Sequence, residues 1–239
     1  MLRSRASRAG WLLLAAAGIA GFVALGTWQL QRRTWKLELI ERVQARLAAA
    51  AVPAPAPGEW PRMSAARDEY RRVALEGTFL RDRETLVHAT TALGMGYWVM
   101  TPLRRDDGSV VLVNRGFVPP EGRNRSARDD DGATGRVSVT GLVRMSEPAT
   151  LLRSNDPAAD RWSTRDVGRI GAARGFAEVA PYFVDAEAPP AAAGASAPVA
   201  GLTVVSFPNN HLAYALTWYG LAVLVCAATV VGFRARAEA

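Results

Sequence analysis

Trp11–Leu30 reads WLLLAAAGIAGFVALGTWQL and Leu212–Phe233 reads LAYALTWYGLAVLVCAATVVGF. These two stretches decide the architecture. A hydrocarbon core of about 30 Å is crossed by about 20 apolar residues of helix, and both stretches reach that length. No Asp, Glu, Lys or Arg occurs from Ala9 to Gln31 or from Ala188 to Phe233. They are read as transmembrane helices over residues 11–30 and 211–233, with short flanks at 1–10 and 234–239. Arg3, Arg5 and Arg8 ahead of an apolar run, with Ala24 and Gly26 behind, also fit a cleavable signal peptide. The run outlasts the about 7–15 apolar residues of a typical signal peptide, which favours an uncleaved anchor.

Arg234 and Arg236 follow the second stretch, and nothing charged precedes it for over twenty residues, so its C-terminal end is expected in the cytoplasm. Around the first stretch the basic residues are balanced, with Arg32, Arg33 and Lys36 on one side and the three early arginines on the other. Two spans with a cytoplasmic C-terminus place the N-terminus in the cytoplasm too. The expected topology is a hairpin with about 180 residues outside, since a long domain is translocated regardless of its charge.

The averages make sense only after this division. The 239 residues carry a net charge of +7 and are 49% hydrophobic, and their mean hydropathy is close to zero. Outside the two uncharged stretches, five arginines against Glu238 leave +4, while the segment between holds 24 basic and 21 acidic residues, a net of +3. A nucleic-acid binder concentrates its basic excess as a patch on the folded domain, so that class is set aside. The single cysteine, Cys226, excludes an intrachain disulfide, a Cys-x-x-Cys pair and c-type haem attachment.

After the first span, Leu37, Ile40, Val43 and Leu47 keep helical spacing, so residues 31–51 are read as a continuing juxtamembrane helix. Val52–Pro61 (VPAPAPGEWP) cannot stay helical and is read as a linker over 52–61. A second Ala/Pro-rich linker is expected over 188–210. Between them, residues 62–187 mostly alternate. Val73, Leu75 and Phe79 share one face, as do Val137, Val139 and Val143, and Tyr97–Leu103 with Val110–Val118 reads as a hairpin. One helix near Arg165–Arg174 and a closing strand at Val179–Ala186 complete the pattern. The expected fold is two transmembrane helices flanking an α+β periplasmic domain dominated by antiparallel β-sheet and curled towards a barrel.

No nucleophile–base constellation, phosphate-cradling glycine loop or His-x-x-x-His metal pair occurs, so the chain is not expected to be an enzyme. His88 reads as a surface or packed histidine. The 129–131 aspartate run reads as a solvated turn without calcium-loop spacing. What stands out lies at one membrane boundary. Trp28, Arg32 and Trp35 fall at i, i+4, i+7, and Pro208-Asn209-Asn210 reads as a helix entrance ahead of His211, Tyr214 and Trp218 at i, i+3, i+7. An aromatic belt with a snorkelling arginine explains most of this. A neutral imidazole is also an axial ligand for haem iron, rings pack on a flat macrocycle and arginines pair with propionates. His211 equally suits a capping or interfacial role.

Several strings occur in a distinctive order: LGTWQLQRRTWK (25–36), GMGYWVMTPLRRDDGSVVLVNRGFVP (94–119), VTGLVRMSEP (139–148), Asn155-Asp156-Pro157 with Arg161-Trp162, and NNHLAYALTWYGLA (209–222). From about Gly26 to Leu221 the chain resembles the surfeit locus protein 1 family. The resemblance implies a two-span membrane protein, of the bacterial inner membrane type, assisting assembly of haem a-containing cytochrome c oxidase. It would act where haem a enters the catalytic subunit, with that subunit and the haem a biosynthesis machinery as partners. The resemblance also implies haem binding at the histidine entering the second span, here His211. Trp28, Arg32 and Trp35 match the family's first-span motif, and their contact with haem is inferred from face and depth. Asn114-Arg115-Gly116 matches a strand-end motif for which a bulge eased by Gly116 and an ion pair of Arg115 are the structural expectation. A scaffold that stabilises oxidase intermediates without binding haem is the alternative. Met95 and Met100 are available as second axial ligands by chemistry alone.

Overall fold

The computed structural model describes residues 2–124, 135–151, 153–187, 197–203 and 207–235, the first seven of these by backbone only. The aspartate run 129–131, Arg236 and most of the second Ala/Pro stretch lie outside them. The chain divides into two compact units, Met1–Gln44 with Val205–Ala239, and Ala45–Val204.

The first unit is a helix pair. α1 runs unbroken over Leu2–Ala48, because no proline interrupts a sequence rich in Ala, Leu, Arg and Gln. It stops where Pro53 approaches. α4 spans His211–Ala235, starting just past Pro208, and the Tyr214 amide closes its first turn on the Asn210 carbonyl at 3.2 Å. Both helices are long and apolar enough to cross a membrane. Trp11, Leu13, Leu14 and Val23 of α1 and Leu216, Val223, Leu224 and Val231 of α4 are exposed.

The second unit is a seven-stranded mixed sheet whose pairings close on themselves. The strands are β1 (Val52–Pro53), β2 (Arg72–Phe79), β3 (Thr85–Thr91), β4 (Gly94–Arg104), β5 (Val110–Val118), β6 (Arg136–Met145) and β7 (Tyr182–Ala186), in the order β1-β2-β6-β7-β5-β4-β3. β4 returns to β2 through Thr78↔Arg104 and Phe79↔Leu103, making a ring of β2, β6, β7, β5 and β4. Gly77 permits this closure, since a Cβ there would lie 2.2 Å from the Arg104 carbonyl oxygen. The expected hairpin is present, with Arg104 opposite Val110. The sheet differs from a purely antiparallel one at β5–β7 and β1–β2, which pair parallel.

Alternation on β4, β5 and β7 serves two cores. Leu103, Val111, Val113, Tyr182 and Val184 join Val73, Leu75 and Val143 on one face. Met100, Leu112 and Phe183 meet Trp162 with Val167 and Ile170 of α3 (Val167–Ala173) on the other. That explains why Val110–Val118 reads as an almost continuous apolar run: the strand is buried on both sides.

The two expected linkers need correction. Val52 and Pro53 form an edge strand beside β2 and a 3-10 helix follows at Pro57–Arg62, with Trp60 buried. The Pro55 carbonyl accepts from Trp60 Nε1 (3.3 Å), Arg105 Nη1 (3.0 Å) and the Tyr182 hydroxyl (3.0 Å). Prolines forbid helix there but not an edge strand. In the second stretch, residues 197–203 lie against the barrel: Val199 and Phe117 exchange backbone hydrogen bonds of 2.9 and 2.8 Å, and Gly201 donates to the Ala186 carbonyl at 3.2 Å.

A buried ionic cluster locks β6, β7 and the segment before α3. Asp185, on β7, accepts from Arg144 Nη1 (2.9 Å), Arg165 Nη1 (3.2 Å), Asn114 Nδ2 (2.7 Å) and the Thr203 hydroxyl (2.9 Å). Glu69 and Glu147 take the outer edges of the two guanidiniums at 2.8 and 2.5 Å. Burial would lower the Arg144 pKa, but Asp185 and Glu69 overcome it and hold the guanidinium above the ordinary arginine value.

Burial pushes the Tyr182 hydroxyl well above its usual range. A raised folded-state pKa means that its contribution is complete below about pH 10 and is lost as pH climbs beyond that. Thermal melts between about pH 8 and 12 should show stability falling above about pH 10. Tyr182→Phe should cost about 1 kcal/mol at neutral pH and flatten that fall. An alkaline decline unchanged in Tyr182→Phe would refute the assignment.

Candidate functional site

The two helices run antiparallel and meet along a narrow seam. The Phe22 ring stacks on Trp218 with centroids 5.8 Å apart, and the Thr27 and Tyr219 hydroxyls are 3.1 Å apart. Gly26 carries no Cβ where the Tyr219 ring lies against α1, and Ala215 and Ala222 are buried. Further along, Lys36 Nζ sits 5.2 Å from the Phe207 ring. Between these contacts the seam is polar: His211 Nδ1 and Gln29 Oε1 are 2.7 Å apart.

His211 and Trp218 therefore face α1, and Tyr214 does not; it is 56% exposed. At 3.6 residues per turn, a residue three positions on lies about 60° around the helix from the first. The seam runs through His211, Ala215, Trp218 and Ala222, so Tyr214 falls on its flank. On α1, Arg32 rests its guanidinium 4.7 Å over the Trp35 ring, while Trp28 and Trp35 are 51% and 47% exposed. The structure thus brings together Arg32 with Trp35, and His211 with Gln29. It leaves Trp28, Trp35 and Tyr214 presenting aromatic surface outward.

The chemistry available is narrow. An amide oxygen only accepts, so the imidazole Nδ1 facing Gln29 Oε1 is the donor of this hydrogen bond, and Nε2 is the ring nitrogen left for another partner. Two residues earlier, Asn209 buries its Oδ1 without a hydrogen-bond partner among the described residues. Among the described residues no group of three or more His, Cys, Asp or Glu is placed to hold a metal ion. The site offers one nitrogen donor, outward aromatic rings and a guanidinium. Gln29 was not singled out in the sequence, although it is a lone amide inside an apolar run, which is a legible signal.

The other singled-out residues fall in the barrel unit. His88 is exposed, with its ring 4.9 Å from Tyr97, and lines an open cleft of about 750 Å³ with Met95 and Arg153. Met95 is 76% exposed and Met100 is fully buried in the second core, where its sulfur is closed off from any ligand. Between Trp98↔Phe117 and Met100↔Asn114, Val99 faces both Arg115 and Gly116, which is a β-bulge. Gly116 has φ +132°, and the Arg115 guanidinium lies 5.3 Å over the Phe79 ring.

Comparison with known proteins supplies the kinship. The SURF1 family matches residues 16–223. The chain is 35% identical over 236 residues to surfeit locus protein 1 of Mus musculus, covering 92% of this chain and 72% of that one. It is 34% identical over 229 residues to surfeit locus protein 1 of Homo sapiens, covering 88% and 73%. With a SURF1-like protein of Monosiga brevicollis it shares 35% identity over 231 residues, covering 91% and 84%. A match across both long helices and the whole barrel unit, at that identity, means that this chain belongs to the SURF1 family.

Proposed function

We propose that the chain is a membrane-anchored assembly factor for haem a-containing cytochrome c oxidase, which holds haem a beside His211 and assists its insertion into the catalytic subunit. The observation that carries this reading is the His211–Gln29 pair, 2.7 Å long. It leaves the imidazole Nε2 as the ring nitrogen not taken up by Gln29, at the entrance of α4, and α1 carries Arg32 and Arg33 within the next turn after Gln29. His211 would hold haem through that nitrogen, and the bound haem would supply an iron able to accept it. Arg32 and Arg33 suit its propionates, Trp28, Trp35 and Tyr214 offer aromatic surface to its faces, and Trp218, stacked on Phe22 in the seam, would border it. Asn209 Oδ1, buried and without a hydrogen-bond partner among the described residues, suits a hydroxyl or carboxylic acid donor.

α1 and α4 cross a bacterial inner membrane as a hairpin, with their flanks cytoplasmic and the barrel unit periplasmic. Exposed apolar side chains along both helices and the basic residues Arg234 and Arg236 support this orientation. The chain performs no catalysis of its own; its partners are the oxidase catalytic subunit and the haem a biosynthesis machinery. A haem-free scaffold for oxidase intermediates is a second reading, supported by the open cleft beside His88, Met95 and Arg153.

Protein purified from cells that make haem a should carry a haem absorption band, and His211→Ala should lose it. A periplasm-active reporter inserted after Gly122 should be active. Haem-free wild-type protein co-purifying with the catalytic subunit would favour the scaffold, and unchanged haem content in His211→Ala would sink the ligand assignment.

A further inference from the structure

We infer that Gln29 is the positioning residue of the proposed haem site: its side-chain oxygen selects the Nδ1-protonated tautomer of His211 and aims the bare Nε2 away from α1. The inference rests on the haem reading and extends it to a residue on the opposite helix. A histidine that binds metal through one nitrogen donates the proton of the other to an acceptor, which fixes ring rotation and makes the ligating nitrogen more basic. Here the acceptor stands at 2.7 Å. It comes from Gln29, 182 positions earlier in the chain, so the ring is oriented only when the two helices are packed together.

The seam around the pair explains why the orientation holds. Phe22 against Trp218, Thr27 with Tyr219 and Lys36 over Phe207 clamp α1 and α4 on both sides of Gln29–His211. Gln29 and His211 are only partly exposed, so water competes weakly for the ring. An amide, unlike a carboxylate, adds no charge to the apolar stretch that contains it. A glutamine among apolar side chains is costly unless paired, and His211 is the hydrogen-bond partner it has in the seam.

The test uses the full chain in detergent, titrated with haem a. Gln29→Leu keeps size and apolar packing and should weaken haem binding about 10–100-fold. It should also raise the reduction potential of whatever haem binds, because the ligand becomes a poorer donor. Gln29→Glu restores an acceptor at the same place and should retain haem. In the haem-free wild type, nitrogen-15 shifts of the neutral His211 ring should favour the Nδ1-protonated tautomer, with that preference lost in Gln29→Leu. Wild-type affinity and potential in Gln29→Leu, or equal loss in Gln29→Leu and Gln29→Glu, would overturn the assignment while leaving His211 as ligand. Haem retention by His211→Ala would instead overturn His211 as the ligand, and the role of Gln29 with it, while a haem-free wild-type protein would overturn the haem reading itself.

Discussion

Asp185→Ala is expected to lower the stability of the barrel unit by about 3–5 kcal/mol, the cost of breaking a buried ion pair from one side. Asp185 is 3% exposed and meets two guanidiniums, an amide and a hydroxyl. Truncation leaves Arg144 and Arg165 facing each other across the site, each neutralised only by the outer carboxylates of Glu69 and Glu147. It also strips the acceptor from Asn114 and Thr203, and unsatisfied buried donors cost about 1–3 kcal/mol each. For a unit of this size, 1 kcal/mol corresponds to about 2–4 °C, so the melting temperature of the full chain in detergent should fall by roughly 10 °C. Arg165→Met should cost less in the Asp185→Ala background than alone, because the bond to Asp185 is already gone and its removal relieves the repulsion from Arg144. Additive costs would show that the cluster does not act as a unit.

The second large effect is expected from one methyl group. Gly116→Ala should cost about 3 kcal/mol or more, and three causes contribute. Gly116 sits at φ +132°, where a side chain strains the backbone by about 1–3 kcal/mol. Its Cβ would lie 2.4 Å from both the carbonyl carbon and oxygen of Val199, and such overpacking costs about 1–3 kcal/mol. Relief requires pushing residues 197–203 away from β5, which breaks the Phe117–Val199 hydrogen bonds. Gly108→Ala is the control: its φ is +82° but open space surrounds it, so strain alone remains and about 1 kcal/mol is expected. Amide exchange at Phe117 and Val199 should accelerate in Gly116→Ala and not in Gly108→Ala. Equal melting temperatures for the two variants would refute the close-approach argument.

The residues that were legible share a local physical cause. Uncharged runs of membrane length marked both long helices, and Asp-Asp-Gly-Ser between apolar segments marked the β4–β5 turn, because solvent preference and turn chemistry act within a few residues. The bulge at Gly116 was legible because glycine is the residue that tolerates such a backbone. Pro-rich segments misled. Val52–Pro61 forbids helix and was read as a linker, and that local fact gave no sign that Pro55 offers a carbonyl to three donors scattered over the unit. The parallel pairing of β5 with β7 left no signature either: alternation records which face is buried and not which way the neighbouring strand runs.

The candidate site shows the same division. Periodicity placed His211, Tyr214 and Trp218 on one broad face, and the packing of α4 on α1 then chose the line within it, taking His211 and Trp218 and leaving Tyr214 outside. Gln29 became part of the site only through a partner 182 positions away.

By itself, the sequence determined what each segment prefers: apolar helix at both ends, alternating strands between, and a histidine at the mouth of the second helix. Those preferences depend on a residue's own chemistry and on its nearest neighbours. Only the tertiary structure decided that the sheet closes through Gly77, that Asp185 gathers Arg144, Arg165, Asn114 and Thr203, and that Gln29 holds His211. Each of these is an agreement between groups far apart in the chain, and only packing brings such groups within reach of a hydrogen bond.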